Sequence, residues 1–190
     1  MTIAIPPKIN ETEHGVMLDY VDQQFCKNIM KLKNQLRSFD GKVQTQGQSK
    51  TKKVVDIRNV EVFPIHEQYT WVDEYILNLI INYNKEYNYD LTGIFERPQL
   101  LRYKAPSVGY DWHVDLGNGD ASTRKLGFSI LLNEDFEGGE FQVFNNGIQT
   151  VDLRKNQILV FPSFLPHKVE KITSGERWSL VCWIHGRCFR

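Results

Sequence analysis

The 190-residue sequence predicts a mainly β fold with α-helices: a double-stranded β-helix (jelly-roll) core packed against N-terminal helices. Two observations carry that expectation. Up to residue 96, apolar residues recur at intervals of three and four, as on one face of a helix. From residue 97 onward, short apolar runs alternate with Gly, Asn and Ser punctuation, as in a sandwich or barrel of short strands. No internal repeat or low-complexity tract interrupts this order. Residues 1–190 therefore read as one domain, with 1–96 a helical support layer with edge strands and 97–186 the β-core.

The elements follow in order. Val21, Phe25, Ile29, Leu32, Leu36 and Phe39 mark an amphipathic helix ending near Asp40-Gly41. Residues 41–53, rich in Gln, Lys and Gly, read as a loop, and Val54 to Val62 as a strand. Trp71, Tyr75, Leu79, Ile80, Tyr83 and Tyr87 mark a second helix. Strands are expected at Gln99–Tyr103, Leu126–Leu132, Glu140–Phe144, Gln157–Phe161, Pro166–Ile172 and Arg177–Ile184. Gly117 to Asp120, Gly138-Gly139, Asn145 to Gly147 and Thr173 to Glu176 are the turns. Gly138-Gly139 reads as a tight turn requiring positive φ.

Bulk composition narrows the function classes. Of the residues, 41% are hydrophobic and 12% aromatic, enough for one core without staples. Lys and Arg total 23 and so do Asp and Glu, so there is no broad electrostatic footprint for nucleic acid or an anionic membrane. The run Lys50 to Lys53 reads as a solvated loop. Three scattered cysteines (Cys26, Cys182, Cys188) suggest no disulfide framework. Met1 to Lys8 lacks the pattern of a signal peptide, and no apolar run is long enough for a membrane span. A cytoplasmic location is the expectation, with no nucleic-acid or membrane partner; the oligomeric state is not readable.

Chemistry is suggested first by His113-Val114-Asp115. Two residues apart on an extended segment, the imidazole and the carboxylate leave the same face and can converge on one cation. His167, at the start of a later strand, supplies a second imidazole. Two histidines and one carboxylate match the facial triad of non-haem iron(II) oxygenases, which leaves coordination positions open. Arg177 follows His167 by ten residues, past the turn Thr173 to Glu176, and a strand returning alongside that of His167 is expected to carry it. On that strand Arg177, Ser179, Val181 and Trp183 share one face, and Trp178, Leu180, Cys182 and Ile184 the other. A strand apolar on both faces is buried on both, so Arg177 needs an anion, either a protein carboxylate or a dicarboxylate ligand. A guanidinium fork suits a carboxylate in bidentate geometry.

With these residues in view, the stretch from about Gln99 to Gly186 resembles the prolyl 4-hydroxylase-like branch of the Fe(II)/2-oxoglutarate-dependent oxygenases, bacterial and phage hydroxylases in particular. The matching pieces are Leu100 to Tyr103, Gly109 to Asp115, Phe136 to Phe141, Leu159 to Pro162, His167 to Val169, and Gly175 to Leu180. The resemblance implies a dioxygenase that holds Fe(II) on His113, Asp115 and His167 and binds 2-oxoglutarate through Arg177. It further implies that Tyr103 donates to the same carboxylate and that Ser179 adds a hydrogen bond. O2 would be the second co-substrate, with L-ascorbate as an optional reductant. The implied reaction is hydroxylation of an unactivated C–H bond, first of all on a prolyl residue of a peptide or protein, with a small molecule or free amino acid as the other class.

Other readings stand beside this one. Asp115 argues against a halogenase, and the even charge against a nucleic-acid demethylase. A non-catalytic jelly-roll binding protein would be expected to lack a ligand or the arginine. A cupin-type enzyme without 2-oxoglutarate would leave Arg177 unexplained. Tyr110 and Trp112 are candidates to line the opening, and Leu116 to Lys125 to act as a lid. His14, His66 and His185 lack convergent partners and read as structural or surface residues; Cys182 reads as packing.

Overall fold

The computed structural model describes residues 15–41 and 58–189. In chain order the elements are β1 (Met17–Tyr20), α1 (Gln23–Leu32), β2 (Phe39–Asp40), β3 (Glu61–Pro64), α2 (Thr70–Tyr87), β4 (Leu91–Gly93), β5 (Gln99–Lys104), β6 (Tyr110–His113), β7 (Arg124–Leu131), β8 (Phe136–Gly138), β9 (Phe141–Phe144), β10 (Ile148–Val151), β11 (Gln157–Pro162), β12 (His167–Val169) and β13 (Ile172–Gly186). His14, Lys50 to Lys53, the 42–53 loop and the first part of the Val54 to Val62 strand lie outside the described residues.

Two sheets form. The larger runs β1-β11-β7-β13-β5-β3-β2, with β4 and β8 also pairing to β13; the smaller runs β10-β9-β12-β6. One apolar cluster joins residues of both sheets, including Leu101, Tyr103, Leu159 and Phe161 from the larger and Phe141, Val143 and Val169 from the smaller. The second cluster lies on the other face of the larger sheet, where Leu126, Phe128, Ile130, Leu180, Cys182 and Ile184 share a buried region with both helices. Alternation along β13 splits its residues between the two environments, as a period of two requires.

Local chemistry explains the helices. Asp22 accepts from the Phe25 backbone N–H at 2.6 Å and caps α1. Phe25, Cys26, Ile29 and Leu32 are its buried residues. The helix stops at Leu32, not near Asp40: Asn34 and Gln35 donate back three residues to Lys31 and Leu32, tightening the chain into turns. Phe39 then pairs with Val62 in a strand, so sheet pairing overrides the helical spacing there. In α2 the buried stripe is Val72, Ile76, Ile80, Tyr83 and Tyr87. Asn88 ends it in the left-handed conformation at φ 52°, its N–H bonded to the Asn84 carbonyl at 2.6 Å.

Two expectations about the last strands are corrected. Thr173 to Glu176 is not a turn: β13 runs unbroken from Ile172 and pairs with β8, through a register shift between Ile172 and Ser174. Nor does β13 return alongside the strand of His167. β12 pairs with β6 and β9 in the smaller sheet, and β13 with β5 and β7 in the larger. Residues of the two strands meet instead across a shared cleft.

Candidate active site

A cleft of about 1340 Å³ opens between the sheets and is lined by Tyr103, His113, Asp115, His167, Arg177 and Ser179 among others. The six residues expected to hold the metal and the co-substrate thus line one cleft.

His113 and His167 are direct cross-strand partners on β6 and β12, with ring centroids 4.1 Å apart. Each ring is set by its second nitrogen. His113 Nδ1 lies 2.8 Å from the Asp111 carbonyl and His167 Nδ1 3.0 Å from the Leu165 carbonyl. A carbonyl accepts only from a protonated Nδ1, and in the neutral ring that leaves the Nε2 lone pair free on the cleft side. Burial, with His167 close by, pushes His113 down to about 3, so its ring is neutral and available as a ligand. Asp115 lies just beyond the end of β6. Its carboxylate oxygens are 3.9 Å from His113 Nε2 and 3.7 Å from His167 Nε2. The three ligating atoms all lie within 4.8 Å of one another, close enough for one cation with bonds of about 2 Å to draw them in. Two imidazoles and one carboxylate suit iron(II).

The rings and backbone packed around these three side chains show why the site is shaped this way. Tyr110 stacks on His113 at 3.5 Å between centroids, and Phe161 and Phe141 flank His167 at 4.6 and 5.4 Å. Gly127 on β7 has no side chain because there is no space for one: a Cβ there would lie 2.9 Å from an Asp115 carboxylate oxygen and 3.1 Å from the Phe161 ring.

At the deep end stands Arg177, only 2% exposed. Its Nε donates to the Gly139 carbonyl at 3.0 Å and its Nη1 to the Ser179 hydroxyl at 3.2 Å. Among the described residues no carboxylate pairs with it. Burial pulls its pKa down to about 10, so it remains a cation at neutral pH. Tyr103 is its cross-strand partner and is 1% exposed; burial raises the phenol, which stays protonated and able to donate. Gly139 sits at φ 70°, and a Cβ there would come within 2.8 Å of the Arg177 side chain. The Gly138-Gly139 turn thus has the positive φ its sequence suggests, and it also holds the guanidinium.

The mouth contains residues that sequence reasoning passed over. Arg124 donates through Nε to Glu96 at 2.6 Å and through Nη2 to the other oxygen of the same carboxylate. Its guanidinium also lies 4.0 Å from the centre of the Trp183 ring. His185, expected to have no convergent partners, is buried, with Nδ1 2.8 Å from the Thr123 hydroxyl and Nε2 3.3 Å from Glu96. His66 is exposed. Trp112 is 37% exposed and does not line the cleft, whereas Tyr110 and residues 116–121 do. Arg58 also faces the cleft, its guanidinium 4.7 Å from the Tyr110 ring centre. No local pattern marks Glu96, Gly127 or Arg58, whose roles arise only from contacts distant in sequence.

Residues 98–185 match the 2OG-Fe(II) oxygenase superfamily. A PKHD-type hydroxylase of Synechococcus sp. (strain CC9902) is 40% identical over 80 residues, which are 40% of this chain and 36% of that relative. The chain thus spans little more than a third of the length of that relative. A Pseudomonas putida prolyl-4-hydroxylase superposes with a TM-score of 0.69 at 18% identity, covering 92% of this chain and 94% of that one. A prolyl hydroxylase from Trichoplax adhaerens, solved in complex with a hypoxia inducible factor peptide fragment, also gives 0.69 at 18% identity, over 90% of this chain and 84% of that one. At such identities the superpositions establish the fold. The described residues contain no helix long and apolar enough to cross a membrane.

Proposed function

We propose, from the match of residues 98–185 to the 2OG-Fe(II) oxygenase superfamily, that the protein is an Fe(II)- and 2-oxoglutarate-dependent dioxygenase that hydroxylates a prolyl residue in a peptide or protein. The observation that carries the co-substrate assignment is Arg177, a buried cation that no carboxylate among the described residues pairs with, in the same cleft as the His113, Asp115 and His167 cluster. An uncompensated buried charge costs several kcal/mol, and a carboxylate ligand removes that cost.

In this reading His113, Asp115 and His167 hold the metal, and the Nδ1 bonds of the two rings keep their Nε2 atoms aimed at it. Arg177 grips the distal carboxylate of 2-oxoglutarate, Tyr103 donates its phenolic proton to the same group, and Ser179 steadies the fork. Phe141, Phe161, Leu101 and Val181 line the cleft and exclude water from the reacting region. The chemistry that bound iron(II) supplies is the coupling of O2 reduction to oxidative decarboxylation, so that one oxygen atom enters succinate, the other the substrate C–H bond, and CO2 leaves. L-ascorbate enters only as an external reductant.

The prolyl assignment rests on the hydroxylases this chain is similar to, one of them bound to a peptide. The test is succinate release from 2-oxoglutarate by the purified protein with Fe(II), across proline-containing peptides and small metabolites including free amino acids. Peptide-stimulated release with a mass gain of one oxygen on proline is expected. Stimulation by a metabolite alone would reject the peptide reading and leave the dioxygenase one standing. No 2-oxoglutarate turnover with any member, and no Fe(II)-dependent 2-oxoglutarate binding, would favour a jelly-roll binding protein.

A further inference from the structure

The three candidate ligands are not held in the same way. His113 and His167 sit opposite each other in paired strands, so the ladder fixes their backbones. Asp115 lies two residues past His113, after the end of β6, and no ladder contains it. Its backbone is held instead by three bonds from outside the strand. The Asp115 and Leu116 N–H groups both donate to the Ser163 carbonyl, at 2.9 and 2.8 Å. The Asp115 carbonyl accepts from Arg124 Nη1 at 3.1 Å.

Arg124 is itself tethered on two sides. Glu96 grips its Nε and Nη2 in a fork, and the Trp183 ring supports its plane. It is also the first residue of β7, directly after the 3-10 turn Gly119–Thr123. Its bond to Asp115 therefore closes the loop of residues 116–123 end to end. The neighbouring residue completes the frame, since the Lys125 carbonyl accepts from the Ser163 N–H at 2.9 Å.

We propose that Arg124 is a positioning residue for the metal site: by closing the loop of residues 116–123 at its base, it fixes the backbone of Asp115 and with it the carboxylate. The inference rests on the metal-site reading given above. Partners that orient a metal ligand without touching the metal are worth about 10–100-fold in metal affinity when removed. The guanidinium contacts only the ligand's backbone, so the lower end of that range applies.

Cobalt(II), whose visible absorption reports its ligand set, is the probe, titrated into the full-length chain. Arg124→Met is expected to weaken cobalt binding about 10-fold and to shift the visible band. Arg124→Lys, which keeps a donor, is expected to recover part of the loss. Arg154→Met, at an exposed arginine paired with Asp152, controls for removal of a positive charge and is expected to change neither readout. An Arg124→Met protein that matches Arg154→Met in affinity and band overturns the inference. Should Arg124→Met fail to fold, Glu96→Gln keeps the arginine but breaks its two-point anchor; a measurable loss of affinity supports the inference, and wild-type affinity overturns it. His167→Ala separates the two readings: if it binds cobalt as tightly as the wild type, the metal site itself is wrong, whereas loss there with none in Arg124→Met rejects only the role of Arg124.

Discussion

The two ends of the cleft each present an arginine, and the protein treats them in opposite ways. At the mouth, Arg124 has Glu96 in a two-point pair and an aromatic face beside it. At the deep end, the more deeply buried Arg177 has a backbone carbonyl, a serine hydroxyl and a neutral tyrosine, and no acid among the described residues. Burial is costly for a charge unless an anion meets it. Where the fold supplies the anion, the arginine serves as structure. Where it withholds one, as at Arg177, the proposed function assigns the anion to the co-substrate.

The sharpest way to break that contrast is Arg177→Met. Removing one partner of a buried charge-assisted pair costs about 2–5 kcal/mol, so 2-oxoglutarate affinity should fall by roughly 30-fold or more, with cobalt affinity and the thermal midpoint little changed. Wild-type co-substrate affinity in this variant would make Arg177 one more structural cation. The next effect is Gly127→Ala, where the new methyl group meets the Asp115 carboxylate. Metal affinity should drop by about 10-fold, in the range found when groups around a ligand are disturbed. Binding as tight as wild type would mean that Asp115 gives way without loss.

An effect of similar size is expected at Tyr103. Its phenol is one donor among several to the proposed carboxylate, and a single hydrogen bond to a charged group is worth about 1.5–3 kcal/mol. Tyr103→Phe should therefore raise the apparent KM for 2-oxoglutarate by about 10-fold or more and leave kcat nearly unchanged. A fall in kcat with an unchanged KM would move Tyr103 from co-substrate binding to the reacting centre.

How far these contrasts were legible in the sequence depends on which distances they involve. The two-faced character of β13 follows from alternation, and Arg177 and Ser179 indeed line the cleft while Trp178, Leu180, Cys182 and Ile184 join the helix-side cluster. His113 and Asp115 converge because a two-residue spacing suffices. Alternation says which residues share a face, but it does not say which sheet a strand joins. For that reason the pairing of β12 with β6, and the continuation of β13 through Thr173 to Glu176, escaped it. The end of α1 escaped for a related reason, because Leu36 and Phe39 keep a helical interval while turns and strand pairing claim them. The mouth was least legible of all. Glu96, Gly127 and Arg124 acquire meaning only through Trp183, Asp115 and one another, and nothing local marks them.

The mouth also offers the smallest and most selective test, through His185. Burial lowers the pKa of this imidazole, against the opposing pull of Glu96 and with Arg124 acting in the same direction as burial. Its folded-state pKa therefore lies below the ordinary value of about 6.5. Between those two values the unfolded chain binds a proton that the folded chain does not. Stability then rises with pH through that window, and the contribution of His185 is lost as pH falls from about 6.5 toward the folded-state value. The slope from one such group is at most about 1.36 kcal/mol per pH unit. His185→Gln removes the titration but keeps a polar side chain near Thr123 and Glu96. Thermal midpoints of metal-free wild type and variant, compared from pH 8 to pH 5, should run parallel above pH 7 and diverge below it, with the wild type falling more steeply. Groups other than residue 185 are common to both proteins and cancel in the difference. Parallel curves throughout would show that the imidazole is protonated in the folded state at the same pH as in the unfolded chain, and the Glu96 to Arg124 pair would then have to share its carboxylate with a second cation.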